Sequence, residues 1–193
     1  MKIGFDFDNT IVCYDRAIEI LSDKLQLPQQ IKNDKLSIRN YLINQNRENE
    51  WTEFQGTLYG PGIAHAKPYK NFIEISKNLK LHEHELFIVS HRSKYPYAGQ
   101  KHDLHKYASE WLEGQFISKK IIECKNIYFL NTLEKKIRKI EELKIELFVD
   151  DLIEVFNHEN FPSFTKAVLF SPDRKKIKNF ETISTWNELI YHV

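Results

Sequence analysis

Short apolar segments alternate with amphipathic helical segments along the chain, and this alternation limits the possible folds more than any other feature. Two of these segments, at residues 85–90 and 145–149, contain continuous apolar runs, Leu86–Val89 and Leu147–Val149, rather than alternating apolar and polar residues. Such runs are typical of strands that are buried on both faces of a parallel sheet. The sequence therefore predicts an α/β protein with an open parallel sheet and helices on both faces.

The predicted elements follow from hydrophobic spacing and from the positions of proline and glycine. Strands are predicted at 2–7, 85–90, 126–130, 145–149 and 166–170. Helices are predicted at 14–27, 68–81, 103–116, 132–143, 153–157 and 182–190.

Composition excludes several classes of protein. The 193 residues carry 28 Lys plus Arg and 27 Asp plus Glu, a net charge of +1, so a nucleic-acid partner is not expected. The two cysteines, Cys13 and Cys124, are isolated and indicate neither a disulfide framework nor a zinc site. No apolar run is long enough for a signal peptide or a membrane span, so we expect a soluble cytoplasmic protein.

Polar side chains follow three of the predicted strands, at the edge where ligands bind in open α/β sheets. They are Asp6, Asp8 and Thr10 after the first strand, Ser90, His91 and Arg92 after the second, and Asp150 and Asp151 after the fourth. If these strands are neighbours, four carboxylates converge and require a cation, and oxygen ligands favour Mg²⁺. Each piece alone has a simpler interpretation, such as a turn or a helix cap.

Together these residues resemble the motifs of the haloacid dehalogenase (HAD) superfamily. Residues 6–10, Asp-Phe-Asp-Asn-Thr, are similar to its DxDxT motif, and residues 87–90 are similar to its second motif, an apolar strand that ends in Ser or Thr. Lys136 precedes Asp150 by fourteen residues and resembles the third motif, with Asp150 and Asp151 as the fourth. The resemblance extends from residue 1 to about 170 and implies a Rossmann-like core.

The resemblance implies a role for each matched residue. Asp6 would be the nucleophile that forms an aspartyl-phosphate, and Asp8 would act as general acid and base. Ser90 and Lys136 would bind the phosphate. Mg²⁺ would be held by Asp6, the backbone carbonyl of Asp8 and Asp150, with Asp151 in support. Lys135 and Lys139 are alternatives for the third motif. Lys136 is favoured because Ile140, four residues later, lies on the same side of the predicted helix.

An Asp at position 8 favours phosphatase chemistry, because dehalogenases of the superfamily lack it. The resemblance further implies a core of residues 1–12 and 67–193, with a small helical cap at 13–66. His91 and Arg92 are predicted at the mouth of the site, where a cation could bind a second anionic group of the substrate. The expected activity is hydrolysis of a small phosphomonoester, either a sugar phosphate or a nucleotide.

Two alternatives from other classes remain at this point. One is a phosphate-binding or regulatory module that has the fold but little turnover. The other is a nucleic-acid end phosphatase, which the near-neutral charge disfavours. The sequence gives no indication of the oligomeric state.

Overall fold

The structure, a computed structural model, describes residues 1–32, 34–173 and 179–193. It contains two compact units. The first comprises Met1–Val12, Pro68–Arg92 and Gly114–Val193, and the second comprises Cys13–Lys67 and Ser93–Glu113. The second unit therefore includes the range 13–66, for which the sequence predicts an insertion, together with residues 93–113, for which the sequence predicts a place in the core.

The elements alternate as expected for an α/β fold. The strands are β1 (Lys2–Phe5), β2 (Val12–Cys13), β3 (Lys67–Pro68), β4 (Glu85–His91), β5 (Ile127–Leu130), β6 (Leu147–Asp150), β7 (Lys166–Phe170) and β8 (Glu181–Ile183). The α-helices are α1 (Asp15–Ser22), α2 (Lys35–Asn44), α3 (Glu48–Tyr59), α4 (Phe72–Leu81), α5 (Leu104–Leu112), α6 (Leu133–Leu143) and α7 (Ile153–Phe156). Among the described residues, no helix combines the length and the apolar character needed to cross a membrane.

Six strands form one parallel sheet in the order β5-β4-β1-β6-β7-β8, and β2 pairs separately with β3. Strand β1 is central: Phe5 is in register with Ile88 of β4 on one side and with Val149 of β6 on the other. The predicted fold class, an open parallel sheet with helices, is confirmed. Because the strands are parallel, the polar residues that follow β1, β4 and β6 lie at the same edge of the sheet.

Neighbouring residues of β1 show how helices cover both faces of this sheet, since successive side chains in a strand point to opposite sides. Gly4 faces the cluster beneath α6, and a Cβ on it would lie 2.6 Å from Cδ2 of Phe148. Phe5 faces the other side, where its ring packs edge-to-face on Phe72 of α4 and on Trp186. Helices α6 and α4 therefore lie on opposite faces.

The second unit is helical and contains α1, α2, α3 and α5. Asp34 begins α2 by accepting a hydrogen bond from the backbone N–H of Ser37 at 2.7 Å. The indole Nε1 of Trp111 donates to the carbonyl of Ala66 at 3.2 Å, which joins α5 to the segment before β3. The segment 30–66, polar and weakly periodic in sequence, thus contains the α-helices α2 and α3, whose buried sides face the interior of this unit.

The prediction of a helix at 182–190 is wrong. Residues Glu181–Ile183 form strand β8, and Trp186–Tyr191 form a 3₁₀ helix. Thr182 and Ile183 are β-branched, and the fully buried Ile183 pairs with Phe170 at the edge of the sheet, so packing favours an extended backbone here. The helix predicted at 68–81 begins only at Phe72, because Asn71 has a left-handed backbone (φ 68°).

Candidate active site

The turn after β1 carries the first acidic residues of the site. The backbone N–H of Asp6 donates to the carbonyl of Val149 at 2.9 Å, so Asp6 continues the pairing of β1 with β6. The carbonyl of Phe7 then accepts from the backbone N–H groups of Ile11 and Val12, both at 3.0 Å. This tight turn passes through Asn9 at φ 57°, a conformation that Asn tolerates better than most residues. Asp6 is buried as a result, at the carboxyl end of the central strand.

A buried lysine joins the carboxylates of two neighbouring strands. Nζ of Lys136 lies 2.5 Å from Oδ1 of Asp6 and 2.6 Å from Oδ2 of Asp150, and its side chain is fully buried. Of the two alternative lysines, Lys135 is exposed and Lys139 bonds to Glu142 within the same helix. The structure therefore brings Lys136 to the acidic cluster.

Lys136 reaches this position because α6 is strongly amphipathic. Thr132 begins the helix by accepting a hydrogen bond from the backbone N–H of Lys135. Ile137 and Ile140 are buried against the sheet on the same side as Lys136. Burial alone would lower the pKa of Lys136, but the two carboxylates raise that pKa above its ordinary value, so the side chain stays charged.

Three carboxylates converge at the carboxyl ends of β1 and β6. One oxygen each of Asp6, Asp150 and Asp151 lies within 4.8 Å of the others. Thr10 donates to Oδ1 of Asp151 at 3.1 Å, and the backbone N–H of Leu152 donates to Oδ1 of Asp150 at 3.0 Å. These hydrogen bonds fix the orientation of both carboxylates of the acidic pair.

The electrostatics of this cluster favour the binding of a cation. Burial raises the pKa of the Asp150 carboxyl to about 7; Lys136 opposes this rise and the Asp6 carboxylate adds to it. Burial, with the carboxylates of Asp6 and Asp150, holds the pKa of Asp151 well above its usual range. One ammonium group cannot compensate three carboxylates, and a divalent cation beside them would. The donor set consists of oxygen atoms alone, so the residues fit a hard ion such as Mg²⁺.

The residues that end β4 lie next to this cluster. Oγ of Ser90 is buried and has no hydrogen-bond partner among the described residues, although a buried hydroxyl normally has one. His91 is half-buried, and its burial together with the Lys136 ammonium lowers the pKa of the imidazole, which is therefore neutral near pH 7. Arg92 is buried, and its Nη1 donates to Oδ1 of Asp8 at 3.3 Å.

Two contacts in the site, each made by a residue that the sequence places at this edge, were not predicted. Thr10 orients Asp151, and the position of Thr10 in the DxDxT pattern is the sequence signal for that role. The pairing of Arg92 with Asp8 joins residues 84 positions apart, and no local pattern in the sequence indicates it.

Comparison with known proteins supports the fold. No protein-family model and no curated protein matches the chain. Among solved structures, a predicted phosphatase from Clostridium acetobutylicum has a TM-score of 0.65 at 15% identity, with 100% of this chain and 98% of that chain covered. A HAD phosphatase from Thermococcus onnurineus has a TM-score of 0.57 at 17% identity, with 100% and 97% covered.

A third similar structure is a HAD hydrolase from Bacillus subtilis bound to magnesium. Its TM-score is 0.59 at 17% identity, and the match covers 99% of this chain and 97% of that chain. All three matches extend over nearly the whole length of both proteins. The architecture of this chain, with its acidic residues at the carboxyl edge of a parallel sheet, is therefore the fold of the HAD-superfamily hydrolases.

Proposed function

We propose that the chain is a Mg²⁺-dependent phosphomonoesterase in which Asp6 takes up the phosphoryl group. The observation that carries this proposal is the cluster in which Lys136 joins Asp6 and Asp150 beside Asp151. This cluster supports the proposal because three carboxylates and one ammonium group lie together at the sheet edge where α/β enzymes bind ligands, and carboxylates serve as nucleophiles in phosphoryl transfer.

In the first half of the proposed reaction, an oxygen of Asp6 attacks phosphorus and the bond from phosphorus to the leaving oxygen breaks. Asp8, in its acid form, gives its proton to that leaving oxygen. Lys136 and the Oγ of Ser90 bind the phosphoryl oxygens as charge spreads over them. The buried hydroxyl of Ser90, which lacks a partner among the described residues, is suited to this role.

In the second half, Asp8 acts as the base. Its carboxylate takes a proton from water, the water oxygen attacks phosphorus, and the bond to Asp6 breaks. Inorganic phosphate leaves, and Asp6 returns to a free carboxylate while Asp8 is again protonated. The two half-reactions therefore use the Asp8 carboxyl group first in its acid form and then as a base. Asp8 lies two positions along the chain from the nucleophile, Asp6.

The proposed ligands of the metal are Asp6, Asp150, the backbone carbonyl of Asp8 and, in support, Asp151. When bound, Mg²⁺ supplies positive charge to the phosphoryl group. The magnesium-bound HAD hydrolase of similar fold supports this choice of ion. The close approach of the Asp6, Asp150 and Asp151 carboxylates also supports it, because burial and the neighbouring carboxylates raise the pKa values of Asp150 and Asp151 and a bound cation would offset that cost.

The proposed substrate is a small phosphorylated metabolite, either a sugar phosphate or a nucleotide. The similar structures named as phosphatases support phosphoester hydrolysis. A net charge of +1 gives little attraction for a nucleic-acid backbone. We propose that the helical unit, which includes the predicted insertion at 13–66, selects the substrate, and that the protein acts in the cytoplasm.

The test is release of phosphate from p-nitrophenyl phosphate, followed by a panel of sugar phosphates and nucleotides. We expect turnover with Mg²⁺, loss of turnover with a chelator, and loss of turnover in Asp6→Asn. Asp23→Asn is the matched control, because the Asp23 side chain is 71% exposed and pairs with Lys32 at the surface. A wild type without turnover, or an Asp6→Asn variant as active as the control, would overturn the proposal.

A further inference from the structure

Arg92 is held in an aromatic setting at the end of β4. Its backbone N–H donates to the carbonyl of Leu130 at 2.7 Å, which fixes the start of its side chain. The guanidinium carbon lies 5.3 Å from the ring centroid of Phe7 and 5.7 Å from that of Phe129. The two rings also pack edge-to-face on each other at 5.5 Å. Only 5% of the Arg92 side chain is exposed.

The ion pair that this guanidinium makes is with Asp8. Nη1 of Arg92 lies 3.3 Å from Oδ1 of Asp8, whose side chain is 18% exposed. A buried cation is tolerated when it is paired and when aromatic rings face it, and both conditions hold here. Asp8 itself precedes Asn9, which has a left-handed backbone, so the backbone of the turn and the Arg92 pair together set the direction of the Asp8 carboxylate.

We propose that Arg92 is a positioning residue that holds Asp8 in the orientation needed for proton transfer, an inference that rests on the proposed function of Asp8. From its position after Ser90, the sequence predicts Arg92 as a cation for a second anionic group of the substrate. The observed setting is different, since a substrate anion would have to displace Asp8 and reach a side chain that is 5% exposed. The rings of Phe7 and Phe129 lie beside the guanidinium group and restrict its movement.

The two-step reaction makes this orientation important. Asp8 must reach the leaving oxygen as an acid in the first step and a water molecule as a base in the second. Misplacement of a catalytic group by about 1 Å can cost about 10²-fold in rate. A carboxylate anchored through one oxygen by Arg92 keeps the same position through both steps.

The test uses Arg92→Met and Arg92→Lys, with Arg138→Met as the control because Arg138 is exposed and pairs with Glu134 on the surface of α6. The two probes are p-nitrophenyl phosphate, whose leaving group needs no proton, and glycerol 2-phosphate, whose alkoxide does. kcat/KM reports phosphoenzyme formation. In Arg92→Met we expect it to fall about 10²-fold for glycerol 2-phosphate and less than about tenfold for p-nitrophenyl phosphate.

Phosphoenzyme hydrolysis needs Asp8 as a base with either probe, so kcat for p-nitrophenyl phosphate should also fall and the phosphoenzyme should accumulate. Arg92→Lys keeps the charge but not the planar fork, and it should recover part of the loss. Thermal unfolding shows whether Arg92→Met is folded. If it is not folded, the same kinetic constants are measured with Arg92→Lys instead. In an Asp8→Asn background, Arg92→Met should change kcat/KM by less than about twofold, because the group that it positions is gone.

Three results would overturn the positioning role. One is an equal loss of kcat/KM for both probes, which indicates general structural damage. The second is a raised KM with unchanged kcat, which indicates substrate binding by Arg92. The third is a full additional loss in the Asp8→Asn background. A wild type that hydrolyses neither probe overturns the proposed function itself, and the positioning role with it, so the two failures are distinguishable.

Discussion

Replacement of Lys136 with methionine tests the electrostatic balance of the site directly. Methionine is unbranched and of similar length, so it keeps most of the packing while removing the charge. In the wild type the ammonium lies 2.5 Å from Asp6 and 2.6 Å from Asp150, with no exposure to solvent. The variant therefore leaves two buried carboxylates without their common partner.

The expected loss of stability follows from this geometry. Removal of one partner from a buried ion pair typically costs about 3–5 kcal/mol, because the remaining charge stays buried and uncompensated. For a protein of this size each kcal/mol lowers Tm by about 2–4 °C, so the expected decrease is roughly 6–20 °C. Added Mg²⁺ should stabilise Lys136→Met more than it stabilises the wild type, because the ion replaces the lost positive charge.

The assay is urea unfolding in the presence of a chelator, repeated with Mg²⁺. Lys135→Met is the control, since Lys135 is the exposed neighbour and its replacement should change the free energy of unfolding by less than about 0.5 kcal/mol. If Lys136→Met and Lys135→Met unfold at the same urea concentration, the buried lysine does not neutralise the carboxylates and the electrostatic account of the site is wrong.

Two further predictions concern the framework around the site. Gly4→Ala should destabilise the sheet by about 1–3 kcal/mol, because the new Cβ would lie 2.6 Å from Cδ2 of Phe148 and 3.1 Å from Cγ2 of Ile145. An unchanged free energy of unfolding would show that this face of β1 has room. Thr132→Ala should cost about 1 kcal/mol, since it removes the cap at the start of α6. Urea unfolding measures this decrease in the free energy of unfolding. A decrease no larger than that of Lys135→Met would contradict the capping role of Thr132.

The central strands were predictable from sequence for a physical reason. Strands β4 and β6 are covered on both faces, so their residues form continuous apolar runs that stand out from their surroundings. The turn residues after each strand then follow at the same edge because the sheet is parallel. The placement of Lys136 near Asp150 could also be predicted, because residues four apart in a helix lie on the same side and Ile140 is buried.

Other features depend on contacts that are distant in sequence. Residues 182–190 contain apolar residues at spacings that suit either a helix or a strand, and only pairing with β7 makes Glu181–Ile183 a strand. The grouping of residues 93–113 with the helical unit likewise depends on contacts such as that of Trp111 with Ala66. The Arg92–Asp8 pair belongs to the same class, because the two residues meet only when β1 and β4 lie side by side.

The central claim is that Asp6 carries the phosphoryl group during turnover, and the most direct measurement is mass spectrometry of rapidly quenched enzyme. The protein is mixed with p-nitrophenyl phosphate and Mg²⁺, quenched in acid within milliseconds, and digested to locate the phosphoryl group. The account predicts a phosphorylated peptide whose modified residue is Asp6, absent in Asp6→Asn and absent with a chelator. A phosphoryl group on any other residue, or full turnover with no phosphoenzyme at any quench time, would contradict it.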